Sequence, residues 1–205
     1  MTEDAKKEYL NRYLELQDYL QAAYIDIFCL EEIEKYNESI RKDGRALLES
    51  SFNVLGHICE LLKADLGLTI WKLFFDDDTK ANSIKTLKGF LRREFDNSIA
   101  DSLPKLRLPE NLDEPSKQLQ LLRNKYLAHA DYEKSGASVE LFDLKRIVEE
   151  LRRMLNAMCF KQIDNSVTET TDNNLKAIQF NVSFGLGLMI RRSTFPVDNQ
   201  QSKNQ

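Results

Sequence analysis

The sequence predicts an all-α chain: an up-and-down bundle of four to five helices, followed by a linker and a C-terminal extended strand. Three observations predict it. Gly and Pro are scarce, 7 and 4 in 205 residues, so few breakers interrupt long helices. Up to about residue 160 the apolar residues recur at helical spacing. From Ile178 to Ile190 they switch to every second position, the period of a strand. The division that follows is 1–163 for the bundle and 164–205 for a linker, a strand arm at about 176–191 and a polar tail.

The first helix spans about residues 4–40. Tyr9, Tyr13, Leu16, Leu20, Ala23, Ile27 and Leu30 alternate steps of four and three, a heptad seam of three repeats. Tyr24, Phe28 and Ile33 widen it beyond a free-standing coiled coil and predict packing in a bundle. Asp43-Gly44 marks a break. A second helix follows over about 45–75, with Leu47, Leu48, Ser51, Val54, Leu55, Ile58, Leu61 and Leu62 on one face. Leu68, Ile70, Trp71, Leu73 and Phe74 thicken its end, and Gly67 is a place to bend. Asp76-Asp77-Asp78 lacks the further oxygens of a calcium loop and reads as a solvated turn.

Asn82 or Ser83 can cap a third helix, about 83–96, whose apolar face is Ile84, Leu87, Phe90 and Leu91. Residues 97–114 hold Pro104 and Pro109 without a clear period and read as a surface connection. Pro115 suits the first turn of the next helix, which ends near Asp131. Ser138 can cap the last bundle helix, with Leu144, Ile147, Leu151, Met154, Leu155 and Met158 as its buried face. Residues 164–174 are rich in Thr, Asn and Asp and read as a linker. A strand must pair its backbone groups. This one would therefore meet its symmetry mate, fold back as a hairpin, dock across a partner, or lie as an arm over its own bundle.

Charged residues make up 30% of the chain and hydrophobic residues 42%, the balance of a globular protein. The net charge of −4 argues against indiscriminate nucleic-acid binding. The charge is uneven, however. Residues 80–107 carry seven basic side chains, Lys80, Lys85, Lys88, Arg92, Arg93, Lys105 and Arg107, against three acidic ones. That run is either a solvated helix face or a local landing place for a polyanion. Cys29, Cys59 and Cys159 are odd in number and widely spaced in apolar helical patterns, so reduced, packed thiols are expected. No Cys/His ligand spacing suggests a metal, and no cofactor loop is present. The first residues lack an apolar signal region and no run reaches a membrane span, so a cytoplasmic protein with no membrane partner is expected.

The stretch with chemical content is Leu121-Leu122-Arg123-Asn124-Lys125-Tyr126-Leu127-Ala128-His129-Ala130-Asp131. Leu119, Leu122 and Tyr126 make an apolar seam, and Arg123 and His129 flank it on opposite shoulders, roughly 120° apart. Cleavage of RNA by its own 2′-OH needs a base, an acid and an offset for phosphate charge. An imidazole serves as acid or base near neutral pH, and a guanidinium fork matches a phosphate. Asn124 can hold either group by hydrogen bonds. Lys125 lies one turn before His129, as a phosphate contact or a solvated lysine. Tyr126 reads as core packing beside a substrate, and Asp131 either orients His129 or begins the turn. His57 reads as a helix-interface histidine without chemistry. A helix-flanking Arg and His can equally be a satisfied hydrogen-bonding pair.

Arg123-Asn124 followed by His129 resembles the Arg-polar-x(3–5)-His motif of the HEPN superfamily. Leu122-Arg123-Asn124-Lys125-Tyr126-Leu127-Ala128-His129-Ala130-Asp131 is similar to the form in its abortive-infection AbiU-type branch. Leu73 to Asp78 and Asn82 to Leu87 also look like that branch's helix end and next helix start. The resemblance implies a HEPN-like bundle and a metal-independent endoribonuclease that leaves 2′,3′-cyclic phosphate ends, acting as a toxin or phage-defence effector. It also implies a homodimer in which two copies of the motif helix line one cleft. Such a cleft would collect two Arg and two His, easing the splay within one helix. An antitoxin or a nucleotidyltransferase is an implied partner, with RNA as the substrate. The alternative is a non-catalytic HEPN module that binds protein or RNA.

Overall fold

The computed structural model describes residues 2–42, 49–76, 78, 81–95, 97–128 and 139–193. Among these residues every regular element is a helix: α1 Glu3–Lys42, α2 Glu49–Ile70 continuing into a π-helical turn Trp71–Phe75, α3 Ile84–Glu94, α4 Asn97–Ser102, a 3-10 turn Glu110–Leu112, α5 Asp113–Ala128, α6 Leu141–Asn156 and α7 Asp172–Ser193. The expected all-α class is therefore observed.

Helix α1 is the axis. All seven residues of its heptad seam are buried, as are the widening residues Tyr24, Phe28 and Ile33. At roughly 25 cal/mol per Å² of apolar surface, each such side chain contributes about 1.5–3 kcal/mol to folding. Lys72 lies over the Tyr19 ring and Asp65 faces Asp26, so α2 runs antiparallel to α1. Tyr9 meets Met158 and Lys145 meets Glu31, so α6 is antiparallel too. The Tyr9 hydroxyl donates to the Met158 carbonyl at 2.9 Å and accepts from the Phe160 N–H at 2.8 Å. A buried phenol thereby closes the turn after α6.

Ser83, of the two expected candidates, caps α3. Its hydroxyl accepts the Thr86 N–H, and the Thr86 hydroxyl accepts the Ser83 N–H in return. Asn82 instead reaches across to the Arg12 carbonyl and the Glu15 carboxylate on α1. The Asp76 carboxylate accepts the Asp78 N–H, the Asx-turn use of these acids.

Several expectations are corrected. The strand expected over about 176–191 is helix α7. Its apolar run satisfies both periods: Leu175, Ile178, Val182 and Leu186 at steps of three and four form a helical face, and the first three pack against the core. The Thr171 hydroxyl accepts the Asn174 N–H, and the Asn174 side chain accepts the Thr171 N–H, so the supposed linker ends in a helix cap. As a helix the segment satisfies its own backbone and needs no partner strand. The rest of 164–171 is pinned down. Val167 and Thr170 are buried, the Tyr13 hydroxyl and the Gln17 amide donate to the Thr168 carbonyl, and Asn156 exchanges two bonds with the Thr170 backbone. The arm lies over its own bundle, parallel to α1, with Ser183 beside Glu32.

Of the face expected for α2, Ile70, Leu73 and Phe74 are buried and Leu62 packs against the core, joined by Leu66 and Cys59, while Val54, Ile58 and Leu61 of that face, and His57, are exposed. His57 is thus not an interface residue. The connection at 97–114 is not wholly surface: Ile99, Leu108 and Leu112 enter the core. The N-cap of α6 is Glu140 and makes no side-chain cap bond; Ser138 lies outside the described residues, as do Asp43-Gly44 and the 132–137 turn.

Candidate functional site

Helix α5 carries the motif. Asp113 and Glu114 stand in its first turn, where carboxylates complement the helix dipole, and Pro115 occupies that turn without loss of a needed N–H. The Ser116 hydroxyl donates to the Leu112 carbonyl at 2.6 Å, tying the helix to the 3-10 turn before it. Leu119 is buried against α2, where a Cβ built on Gly67 would stand 3.5 Å from Leu119 Cδ2. Gly67 thus faces the motif helix; it lies within regular α-helix, and the π turn begins four residues on, at Trp71. Leu121, off the Leu119 seam, is about half exposed, at 52%.

Arg123, Asn124, Lys125 and Tyr126 are consecutive positions of the last two turns of α5. Their side chains lie outside the described residues, as do His129 and Asp131 entirely. Of the expected seam, Leu119 is buried as required. The described backbone therefore puts the guanidinium, amide and ammonium positions on one helix end. His129 follows the last described residue of α5, Ala128, by one position.

No family model, curated protein or solved structure matches this chain. The reading of the site rests on its own residues.

Sequence reasoning missed two features with chemical content. Asp26 on α1 is buried, and its Oδ2 has no hydrogen-bond partner among the described residues. Burial first, and the Asp65 carboxylate second, push its carboxyl up to about 7. A helical wheel identifies position 26 as adjacent to the seam, but its burial depends on where α2 docks. The second feature is α7, whose outer face exposes Phe180 and Phe184, their rings stacked 6.3 Å apart. The three cysteines are free and half-buried, and burial pushes each thiol up, away from reactivity. No described helix is long and apolar enough to cross a membrane.

Proposed function

We propose that this chain is a HEPN-type, metal-independent endoribonuclease, a cytoplasmic toxin or phage-defence effector that works as a homodimer. The observation that carries the reading is the sequence Arg123-Asn124-x4-His129, whose Arg123 and Asn124 stand in the second half of α5, in a chain whose described elements are all helices. His129 moves the proton of the attacking 2′-OH or of the leaving 5′ oxygen. Arg123 offsets charge on the phosphate oxygens through its paired N–H donors. Asn124 holds the imidazole or the phosphate, Lys125 adds a phosphate contact, Tyr126 lines the substrate, and Asp131 orients His129. One imidazole supplies one proton-transfer group, so two copies sharing a cleft supply acid and base together.

Purified protein should cut single-stranded RNA in excess EDTA and leave 2′,3′-cyclic phosphate ends. Wild type and His129→Ala of equal activity would end the assignment.

The uncovered Phe180–Phe184 face of α7 favours a second reading, a non-catalytic module that holds a partner protein or RNA. Its association would survive His129→Ala and be lost on removal of residues 175–195.

A further inference from the structure

Helix α7 is docked but not covered. None of its described side chains is buried: Leu175, Ile178 and Val182 reach the core partly buried, and the opposite side faces solvent. Its own propensity is poor. Gly185 and Gly187 each cost about 1 kcal/mol against alanine in a helix interior. A Cβ at either would meet nothing within 4 Å, so no contact within this chain calls for a glycine there. Helices draw most of their stability from a packed face, and α7 has only one side packed.

The outer side has a seam of its own. Ala177, Phe180, Phe184 and Gly187 follow at steps of three, four and three, with Asn181 and Leu188 beside them, the spacing by which two helices pack lengthwise. Phe180 is 69% exposed, Phe184 62% and Leu188 43%. The two rings stack into a ridge, and Gly187, one turn beyond Phe184, leaves a pit next to it. From Ala177 to Ile190 no side chain carries a charge. A charged surface laid here, RNA phosphates included, would lose water and gain no partner. The exposed stripe of α2, Val54, Ile58 and Leu61, runs on into Asp65 and fits this ridge poorly for the same reason.

We propose that the outer face of α7 is covered by the same face of a second copy of this chain, the two helices antiparallel about a two-fold axis at Phe184. Ridge and pit then match. Each Phe180 ring enters the pit at Gly187 of the second copy with Leu188 at its side, and the two Phe184 rings meet at the axis. Parallel pairing would set ring against ring and pit against pit, and would align the two helix dipoles. The seam from Ala177 to Leu188 is about 16 Å long. With roughly 200 Å² for a whole Phe side chain, the contact covers about 500 Å² a side and about 1,000 Å² in all, where specific and reversible interfaces begin. Helix α7 packs on α1 and the motif helix on α2, so this contact is apart from the proposed cleft and does not rest on the ribonuclease reading.

Sedimentation equilibrium of the full chain tests it. Wild type should associate reversibly with concentration. Phe184→Asp puts two carboxylates at the axis and should weaken that association at least about tenfold. The residue is exposed in the single copy, so helix content by circular dichroism should not change. If the motif helix pairs as well, wild type reaches four copies and the variant stops at two; if it does not, the numbers are two and one. Phe180→Lys and Leu188→Glu should each weaken association alone and restore it when mixed, because one Lys–Glu and one native Phe–Leu pair then face each other. That mixture decides the matter even where Phe184→Asp alters the fold. Wild type that stays monomeric at about 0.5 mM, far above the range expected of such an interface, would overturn the proposal. So would Phe184→Asp that keeps its helix content and associates as wild type does, or a mixture no stronger than its parts. Failure of the ribonuclease reading shows separately, as wild type that associates through α7 and does not cut RNA.

Discussion

Asp26 makes the stability of this fold depend on pH, and Asp26→Asn should remove that dependence. The side chain is 7% exposed, its Oδ2 is without a partner among the described residues, and Asp65 faces it from α2. Its carboxyl sits at about 7 in the fold against 3.8 without it. The folded chain therefore holds a proton that the unfolded chain releases. Above about pH 7 the folded state carries a buried charge and the penalty is complete. As pH falls from 7 towards 3.8 the folded state takes up the proton, and stability rises. A gap of about three pH units corresponds to on the order of 4 kcal/mol. For a chain of this length that is on the order of 10 °C in Tm. Asn has nearly the same shape and no charge, so the variant should gain most of this at about pH 8.5 and little at about pH 4.5. Urea unfolding of both proteins across that range reads the difference directly. A wild type as stable at pH 8.5 as at pH 5, or an Asn variant no more stable at the higher pH, would refute the reasoning.

Other substitutions probe the scaffold. Tyr9→Phe strands the Met158 carbonyl and the Phe160 N–H, both buried, and should cost about 2–4 kcal/mol in urea unfolding. Ser83→Ala removes the cap of α3 and should lower stability by about 1 kcal/mol. Gly89→Ala meets nothing and should raise stability by about 0.5–1 kcal/mol in thermal melts.

What was legible in the sequence followed from how many partners each element needs. Helix α1 is bounded on its buried side by α2, α6 and α7, so its seam is wide and regular, and every expected residue is buried. Capping is local chemistry, and Ser83 was within reach of it. The exposure of Val54, Ile58 and Leu61 on α2 was not, because they are as apolar as Leu62 and only the docking angle decides which residues are covered. Period failed at α7 for a related reason. From Ala177 to Ile190 no charged residue interrupts the apolar run, so alternation and helical spacing both fit it. The cap at Thr171–Asn174 is the feature that separates the two. For the site, residue type was legible and geometry was not. Arg123, Asn124 and His129 announce a chemistry by identity alone, whereas the burial that shifts Asp26 exists only once α2 has docked.

The way α5 is held bears on the proposed dimer. Among the described residues its anchors are Leu112, Ser116 and Leu119, all in or before its first half. Arg123 and Asn124 lie one to two turns further on. Groups that must hold a phosphate within about 0.5 Å need rigid support around them. On the proposed reading a second copy supplies part of that support along with the second imidazole. Ribonuclease activity per subunit should then fall as the protein is diluted through its dimer dissociation constant, and mixing His129→Ala with Arg123→Ala should restore part of what each lacks. Sedimentation that finds monomers at concentrations where specific activity is still undiminished would separate the chemistry from the dimer, and with it the shared cleft.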